Sequence, residues 1–395
     1  MTATSIIGEG SGPRVLLIAN TAWYLRNFRR HLIERLEAHG FSVILASPPD
    51  ARTGTEFYTR RHFEPLRLSR KGRNPLHELP ALIRLIRLLR RVHPDAVLTW
   101  TPKPNIYAAI AARWLGIPVV PNVSGLGAVF IRGGVLAGLV GVVYRVAFSR
   151  AACVFFQNEE DRAAFVAAGW VSAGKAQRLP GSGVDLTWFA PQPITPRPPF
   201  VFLFIGRLLA DKGLGELVEA ARRLRRDGQR FELQLAGFLD PGNPAGITQK
   251  ELDGWVQARE VNYLGAFDDV RPALAAAHCV VLPSYREGVP RSLLEAAASA
   301  RAVIATDVPG CRDAVLPGVS GYLCPARDAG GLAACMRKML DLAPQALSDM
   351  GRAGRAHVEE HFSEERVLDA YLRLCMMLRQ GALQSGPGVR GPPKS

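Results

Sequence analysis

The sequence is short of the features that would assign it to several common classes of protein. Its six cysteines form no CxxC pair and do not cluster with histidine, which argues against a metal site and against a disulfide framework. The longest apolar run, residues 133–143, falls short of the ~18–20 residues that a membrane span needs. The first apolar run, residues 15–19, is too short for the h-region of a signal peptide. We therefore expect buried thiols in a reducing compartment, and a chain that stays in the cytoplasm.

Positive charge is distributed unevenly along the chain. The net charge is +14, and residues 1–190 carry 24 basic and 12 acidic residues, a balance of +12 that leaves +2 for the remainder. A basic N-terminal half favours an anionic partner, such as a membrane surface, a phosphorylated substrate or a nucleic acid. We expect no nucleic acid, because the arginines lack interleaved aromatic residues, zinc-ligand spacing and a recognisable nucleic-acid module.

Strand and helix patterns alternate in both halves of the chain, and a proline-rich stretch lies between them. This alternation predicts doubly wound α/β domains, whose ligands bind at the carboxyl ends of the strands. We predict an N-terminal domain at 1–190, a linker at 191–199, a C-terminal domain at 200–360 and a disordered tail at 381–395.

The predicted elements follow from apolar periodicity and from glycine and proline breaks. The strands are predicted at 14–19, 41–47, 96–100, 119–123, 153–157, 200–205, 231–236, 261–264, 279–282, 303–306 and 321–324. The helices are predicted at 27–39, 79–92, 105–115, 215–227, 270–277, 292–299, 331–342 and 346–360.

Several polar segments of the C-terminal half follow predicted strands, where a ligand would lie. Residues 206–213 contain Arg207 and Lys212 before a helix, and a guanidinium fork, an ammonium and helix N–H groups suit a diphosphate. Glu287 and Glu295 lie after another strand, and a carboxylate can accept two hydrogen bonds from a vicinal diol of a sugar. Taken singly, the first segment could be a solvated basic turn, and Glu295 is more typical of a helix surface.

Together, these segments resemble the family 4 glycosyltransferases. The resemblance covers most of residues 180–345, and the fold that it implies is α/β, GT-B: two doubly wound Rossmann-like domains facing a central cleft. A C-terminal helix at 361–380 would cross back to the N-terminal domain. The matching segments are GSGVD (181–185), GRLLADKG (206–213), EGVPRSLLE (287–295), PGCRDAV (309–315) and GVSGYLCP (318–325).

The resemblance also implies roles for the residues of a donor site. Arg207 and Lys212 would neutralise the departing diphosphate without a metal ion, so we expect no metal and no other cofactor. Glu287 would hold hydroxyls of the donor sugar, Glu295 would hold the ribose, and the sugar would keep its α configuration. Glu287, Arg207 and Lys212 are the candidate catalytic residues. The candidate donor-binding residues are Gly206, Arg207, Lys212, Gly237, Glu287, Gly288, Val289, Pro290, Ser292 and Glu295.

Four segments of the N-terminal half carry a narrower resemblance: ANTAWYLRNFR (19–29), TPKPNIYAAIAAR (101–113), NVSGLGAVF (122–130) and VFFQNEED (154–161). They resemble enzymes that add an N-acetylhexosamine to a polyprenyl-diphosphate-linked sugar, or that add sugars to bacterial surface polysaccharides. This implies a UDP-sugar donor, with a GDP-sugar less favoured, and a polyprenyl-diphosphate-linked or glycan acceptor.

Two departures from the family pattern bear on the acceptor side. The usual Gly-Gly pair after the first strand is replaced by residues 20–24, and the histidine expected after strand 119–123 is replaced by Ser124. A histidine-assisted step would therefore lack its histidine. The candidate acceptor-side residues, each of which could also be an ordinary loop or cap residue, are Asn20, Lys103, Asn105, Ser124, Gly125 and Asn158.

The predicted helix at 79–92 has apolar residues alternating with arginines. It could lie on an anionic bilayer or be a domain helix with a solvated basic face, and the basic half slightly favours the bilayer. We therefore expect a peripheral protein on the inner face of the cytoplasmic membrane. Residues 133–148 could likewise line a path for a lipid tail, although a core helix is favoured. The apolar face predicted for helix 79–92 consists of Leu79, Leu82, Ile83, Ile86 and Leu89.

Two other enzyme classes share parts of this pattern. A nucleotide-sugar epimerase of the same fold would need acid and base residues in the N-terminal half, and no such pattern is present there. A nicotinamide dehydrogenase would need a GxGxxG turn after a strand, which the sequence lacks. Sugar transfer is therefore the favoured activity, and the alternatives are a nucleotide-sugar epimerase of the same fold or a non-enzymatic basic protein that binds nucleic acid or a membrane.

Overall fold

The computed structural model describes residues 12–51, 53–68, 75–125, 135–193 and 199–380. Two parallel sheets with helices on both faces form the molecule, in agreement with the predicted fold class. The predicted tail at 381–395 and the central part of the predicted linker, residues 194–198, lie outside the described residues.

The N-terminal sheet contains seven parallel strands: β1 (Arg14–Ile18), β2 (Ser42–Ser47), β3 (His62–Pro65), β4 (Ala96–Trp100), β5 (Val119–Val123), β6 (Val154–Phe156) and β7 (Ala176–Arg178). Their order in the sheet is β3-β2-β1-β4-β5-β6-β7. The direction of winding therefore reverses between β1 and β4. In open α/β sheets, a crevice for ligands opens at the carboxyl ends of the strands at such a reversal.

Helices cover both faces of this sheet: α1 (Ala22–Ala38), α2 (Glu56–Thr59), α3 (Pro75–Val92), α4 (Pro102–Leu115), α5 (Val135–Phe148) and α6 (Glu159–Ala167). Successive side chains of a strand point to opposite faces. Leu16 and Ile18 of β1 accordingly pack into the core under α3, α4 and α5, whereas Val15 and Leu17 pack under α1.

The C-terminal sheet contains six parallel strands: β8 (Phe200–Ile205), β9 (Phe231–Ala236), β10 (Asn262–Gly265), β11 (Cys279–Leu282), β12 (Ala302–Thr306) and β13 (Gly321–Cys324). Their order is β10-β9-β8-β11-β12-β13, so the winding reverses between β8 and β11. The flanking helices are α7 (Leu214–Arg226), α8 (Gln249–Gln257), α9 (Arg271–Ala276), α10 (Arg291–Ala298), α11 (Ala329–Leu340) and α12 (Pro344–His361).

A last helix, α13 (Glu364–Arg379), crosses back and packs in the same core as α1. Its buried Tyr371 hydroxyl accepts a hydrogen bond from the Trp100 indole (3.0 Å) and one from the Asn122 amide (2.8 Å). These bonds join the end of the chain to the ends of β4 and β5, as the family resemblance implies.

The predicted strands at 96–100, 119–123, 200–205, 231–236, 279–282 and 321–324 have the observed bounds. Helix α1, in contrast, begins at Ala22, five residues before its predicted start. The Thr21 hydroxyl caps it by accepting a hydrogen bond from the Tyr24 N–H (3.1 Å). The elements that the patterns do not predict are β3, α2, α6, β7 and α8; β3, α2 and β7 are too short for a clear period, and α6 and α8 bury few of their residues.

The predicted apolar face of α3 is confirmed only in part, since Leu89 is buried and Leu82 and Ile86 are half-buried against the core. Leu79 and Ile83 are 57% and 40% exposed, whereas a different stripe meets the sheet. The helix is apolar around more than half of its circumference, so the sequence leaves open which stripe packs. The buried residues are Ala81, Leu85, Leu88, Leu89 and Val92.

The cysteine side chains confirm the expected burial, since all six are free and buried. Burial raises the pKa of Cys153 to about 12, as expected for a thiol kept neutral in an apolar core. Across the parts of the chain that the structure describes, no helix has the length and apolar character needed to cross a membrane.

Candidate active site

The site begins where β8 and β9 end side by side. Gly206 follows β8, and its N–H donates to the Ala236 carbonyl (3.0 Å). Gly237 has φ 156°, and a Cβ at this position would collide with the backbone of Gly206. These two predicted glycines therefore lie against each other, because only glycine lets the two strand ends approach so closely.

The next turn carries Lys212 to the neighbouring strand end. A short 3₁₀ helix, Ala210–Lys212, ends at Gly213 in the left-handed conformation (φ 72°), and a Cβ on Gly213 would collide with the Pro283 carbonyl. The Tyr285 N–H also donates to the Asp211 carbonyl (2.9 Å). The turn after β8 is thus packed on the loop after β11, across the reversal of the sheet.

Lys212 and Glu287 meet at this reversal. The Lys212 Nζ donates to Glu287 Oε1, and the two side chains are 20% and 13% exposed. A partly buried ammonium and carboxylate in contact interact more strongly than a surface pair, because water screens them less. The structure therefore brings together the two residues predicted for the leaving group and for the donor sugar.

Arg207 lies in the same segment after β8 as Lys212, but its side chain makes weaker contacts. Its guanidinium is 3.4 Å from a carboxylate oxygen of Asp240, and the side chain is close to half exposed. An exposed ion pair of this length contributes little to stability. The guanidinium can therefore exchange Asp240 for an anionic ligand at small cost.

Glu295 lies in α10 and pairs with Arg291 one turn earlier (3.0 Å). Burial raises the pKa of the Glu295 carboxyl, and the Arg291 charge opposes that shift. Arg291 reaches the other domain, since it donates to the Asn27 carbonyl (2.9 Å) and lies over the Phe28 ring, 4.9 Å from its centroid. This part of the predicted donor site thus borders the domain interface.

The donor loop, which we define as residues 286–290, leads into α10 and carries three further predicted residues. Gly288 and Val289 are buried, and Pro290 is the N-cap residue of α10. Ser292, also predicted, lies in the first turn of α10 and is half-buried. The backbone of the donor loop faces the N-terminal domain rather than solvent: the Val289 N–H donates to Gln157 Oε1 (3.2 Å).

The acceptor-side candidates occupy different positions. Asn105 is buried, accepts a hydrogen bond from the Thr99 hydroxyl and donates to the Asn122 carbonyl (both 2.8 Å), which ties β4 to β5. Asn20 and Lys103 are half-buried after β1 and at the start of α4. The structure therefore shows a local structural role for Asn105.

Ser124, Gly125 and Asn158 lie against the donor loop. A Cβ on Gly288 would collide with the Ser124 carbonyl, and a Cβ on Gly125 would come within 3.2 Å of the Gly288 nitrogen. The Asn158 amide donates to the Gly288 carbonyl (2.9 Å). These three N-terminal residues thus contact the polypeptide that carries Glu287.

Sequence reasoning missed four residues that bond across the domains at or beside the donor loop. Gln157, Asp161, Arg286 and Arg291 all bond across the domains. Each stands next to or within a quoted segment, but no spacing rule singles out a residue whose partner lies more than 100 positions away. Only the assembled fold identifies them.

Among the described residues, one group has the composition of a metal site. His31, Asp185 and Glu364 place potential ligand atoms within 4.8 Å of one another, where α1 meets the start of α13. The His31 Nδ1 and a Glu364 carboxylate oxygen are 2.6 Å apart, so the two side chains satisfy each other. None of the three belongs to the predicted donor site.

Comparison with known families accounts for both halves of the chain. Residues 14–158 match the family model described as "Glycosyl transferase 4-like", and residues 199–342 match the model described as "Glycosyl transferases group 1". The second match contains Arg207, Lys212, Glu287 and Glu295, whereas the predicted segment GSGVD (181–185) lies between the two matches.

One curated relative aligns over nearly the whole chain. It is the N,N'-diacetylbacillosaminyl-diphospho-undecaprenol alpha-1,3-N-acetylgalactosaminyltransferase of Campylobacter jejuni subsp. jejuni serotype O:2. The identity is 26% over 378 residues, which cover 91% of this chain and 98% of the relative. The similarity therefore extends into the N-terminal half of the chain.

Solved structures support the fold. A sucrose-phosphate synthase from Thermosynechococcus elongatus superposes with a TM-score of 0.77 at 21% identity, covering 95% of this chain and 100% of that one. HepE of Anabaena, solved with UDP, superposes with a TM-score of 0.70 at 18% identity, covering 92% and 99%. With two parallel sheets, a donor-type constellation at the strand ends and both family models matched, the chain belongs to the family 4 glycosyltransferases of GT-B fold and is a sugar-transferring enzyme.

Proposed function

We propose that the protein transfers an N-acetylhexosamine from a UDP-sugar to a sugar linked to polyprenyl diphosphate, in the synthesis of a bacterial surface glycan. The observation that carries this proposal is the Lys212–Glu287 pair at the ends of β8 and β11, which combines a cation for a leaving diphosphate with an acceptor for sugar hydroxyls. The printed activity of the Campylobacter relative supports the choice of acceptor and of sugar.

In the proposed reaction, the bond between the anomeric carbon and the diphosphate oxygen breaks. A bond forms between the anomeric carbon and the acceptor oxygen on the same face, so the α configuration is retained, and the leaving phosphate takes the proton of the acceptor hydroxyl. Arg207 and Lys212 stabilise the negative charge that develops on the diphosphate. Because fixed cations perform this task, the proposed reaction needs no metal ion.

Two carboxylates orient the donor. Glu287 accepts hydrogen bonds from hydroxyls of the donor sugar, while Lys212 turns from Glu287 to the diphosphate. Glu295, held by Arg291, accepts hydrogen bonds from the ribose hydroxyls. A UDP-sugar is the favoured donor, since a protein of this fold has been solved with UDP, and a GDP-sugar is the less favoured one.

We further propose that the enzyme lies on the inner face of the cytoplasmic membrane, where a polyprenyl-linked acceptor is held. The support comes from the outer helix face, which we define as the exposed side chains of α3, α4 and α5. Large apolar residues are exposed there, against the usual tendency of valine, leucine and isoleucine to be buried. They are Leu79, Ile83, Trp114, Val142, Val143 and Val146.

The charge of the outer helix face favours an anionic lipid surface. Residues 96–158 contain five basic residues and no acidic one. Exposed arginines stand beside the exposed apolar residues: Arg84 and Arg87 on α3, and Arg145 on α5. Apolar side chains flanked by arginine match a bilayer interface, where the chains insert and the guanidinium groups meet lipid phosphates.

A donor screen tests the proposed function. The purified protein is incubated with membrane extract containing polyprenyl-diphosphate sugars and with UDP-N-acetylhexosamine, UDP-hexose or GDP-mannose. We expect UDP release to depend on the extract, to be fastest with the N-acetylhexosamine and to persist in EDTA. Epimer formation without an acceptor, a preference for GDP-mannose or a loss of turnover in EDTA would contradict the corresponding part of the proposal.

A further inference from the structure

We infer that Asp161 and Arg286 are positioning residues, which hold the donor loop against the N-terminal domain and thereby fix the Glu287 carboxylate. Asp161 lies in the first turn of α6, and its side chain is 0% exposed. Arg286 immediately precedes Glu287 in the donor loop. Its guanidinium donates to Asp161 Oδ1 across the domain interface.

The position of Asp161 is fixed by contacts within its own domain, independently of the donor loop. Asn158 is the N-cap residue of α6 and accepts a hydrogen bond from the Asp161 N–H (2.8 Å). The Asn158 amide also donates to Asp161 Oδ2 (3.1 Å). One carboxylate oxygen is thus held within α6, which leaves the other for Arg286.

Asp161 and Arg286 compensate each other's charge. Burial raises the pKa of the Asp161 carboxyl, and the Arg286 charge opposes that shift. Arg286 Nε is buried and has no hydrogen-bond partner among the described residues, so Asp161 is the carboxylate that compensates the guanidinium. Asp161 is fully buried whereas Arg286 is 24% exposed, so removing Arg286 leaves an uncompensated buried carboxylate, which is unfavourable.

The donor loop is held on both sides of Glu287. On the N-terminal side, Arg286 binds Asp161. On the C-terminal side, the Gly288 carbonyl accepts from Asn158 (2.9 Å) and the Val289 N–H donates to Gln157 (3.2 Å). The backbone beside Glu287 is therefore held by the N-terminal domain as well as by its own domain, where Gly310 packs against the Gly288 carbonyl.

This arrangement predicts a specific kinetic defect. The inference rests on the proposed function only for the choice of UDP as the probe. Arg207 and Lys212, which would hold the diphosphate of UDP, and Glu295, which would hold its ribose, are not bonded to Asp161 or Arg286. Loss of the pair should displace Glu287 by a fraction of an ångström to about an ångström, and misplacement of this size lowers turnover by up to about 100-fold.

The test uses the full chain with Asp161→Asn, Arg286→Met, the double variant and the conservative Arg286→Lys. We expect kcat to fall by roughly 10- to 100-fold in each of the first two, with the Kd for UDP changed less than about twofold. The double variant should be no worse than either single one, since the two residues act as a unit. Arg286→Lys should restore part of kcat.

Glu160→Gln is the matched control. Glu160 is the neighbour of Asp161 and also forms an ion pair across the domains, with Arg312, but that pair is exposed and does not touch the donor loop. We expect its kcat to change less than about twofold. Unchanged kcat in Asp161→Asn and Arg286→Met would overturn the inference, as would a loss of UDP binding and of thermal stability that parallels the loss of kcat. A parallel titration with GDP keeps a wrong choice of nucleotide distinct from a wrong positioning role.

Discussion

The two halves share one architecture but present different chemistry to the cleft. The C-terminal half brings charged side chains to its strand ends, with Lys212 against Glu287 and Glu295 against Arg291. The N-terminal half brings mainly amides and close-packed backbone, with Asn158 bonded to the donor loop and Ser124 packed against it, and one buried carboxylate, Asp161, paired with Arg286. Its arginines on α3 and α5 point outwards instead.

This difference separates two tasks. Holding and releasing a diphosphate requires charge at a fixed point, and the C-terminal half supplies it. The N-terminal half holds the donor loop through buried hydrogen bonds and the Asp161–Arg286 ion pair, and in the proposed function its exposed arginines meet a lipid surface. A net charge of +12 in one half and +2 in the other is therefore no measure of which half performs the chemistry.

The largest expected effect follows from removing one positive charge at the strand ends of the C-terminal half. Lys212→Met keeps the length of the side chain and removes its charge, so the diphosphate would leave with one cation fewer. We expect kcat to fall by about 10²- to 10³-fold, as for the loss of one donor to a developing anion. Steady-state assays against Lys250→Met, an exposed lysine on α8, give the control. Equal activity of the two variants would exclude Lys212 from the leaving-group step.

The sequence predicts the charged side better than the amide side, and the reason is physical. Lys212 and Glu287 follow strands of clear apolar pattern, and the carboxyl ends of parallel strands meet at one edge of the sheet. Their contact follows from local patterns together with the topology. Family resemblance contributed the assignment of Glu295, which in isolation is typical of a helix surface.

The contacts of the N-terminal half could not be predicted in the same way. Asn158 was a candidate for the acceptor on its position after β6, but its amide bonds to Gly288, 130 residues away. Such bonds depend on how two domains meet, and neither periodicity nor spacing encodes this. The face of α3 was likewise predicted only in part, because packing against α4 and the sheet leaves Leu79 and Ile83 exposed.

The second prediction concerns the pH dependence of donor binding by Glu295. The raised pKa of Glu295 means that the carboxyl gains its charge at higher pH than usual, so its hydrogen bonds to ribose weaken as pH falls. We expect Glu295→Gln to raise the donor KM roughly 10-fold at about pH 8, and less at about pH 5. Initial rates over this pH range test it. A KM ratio between wild type and variant that does not change with pH would count against the assignment.

The third prediction concerns the outer helix face. Val142→Ser combined with Val146→Ser removes apolar area that would enter the bilayer, and we expect roughly 10-fold weaker binding to vesicles containing anionic lipid. Turnover with a water-soluble acceptor should not change. Val319→Ser, an exposed valine of the C-terminal half, is the control in a vesicle flotation assay. Equal binding of all three proteins would remove the outer helix face from the proposal without affecting the donor site.

The smallest expected effect lies where the two halves are joined. His31 of α1 faces Glu364 at the start of α13, with Asp185 and Glu34 nearby, and the hydrogen bond to Glu364 raises the pKa of His31 above its usual value near 6.5. A raised histidine pKa stabilises the fold fully below about pH 6.5, and this contribution is lost as pH rises through the folded-state pKa. His31→Gln should therefore lower the free energy of unfolding at about pH 6 and change it little at about pH 8.5. Because the side chain is substantially exposed, screening limits the difference to less than about 1 kcal/mol. Urea unfolding at both pH values measures it, and a loss of equal size at both would show that His31 supports the return of α13 by packing rather than by charge.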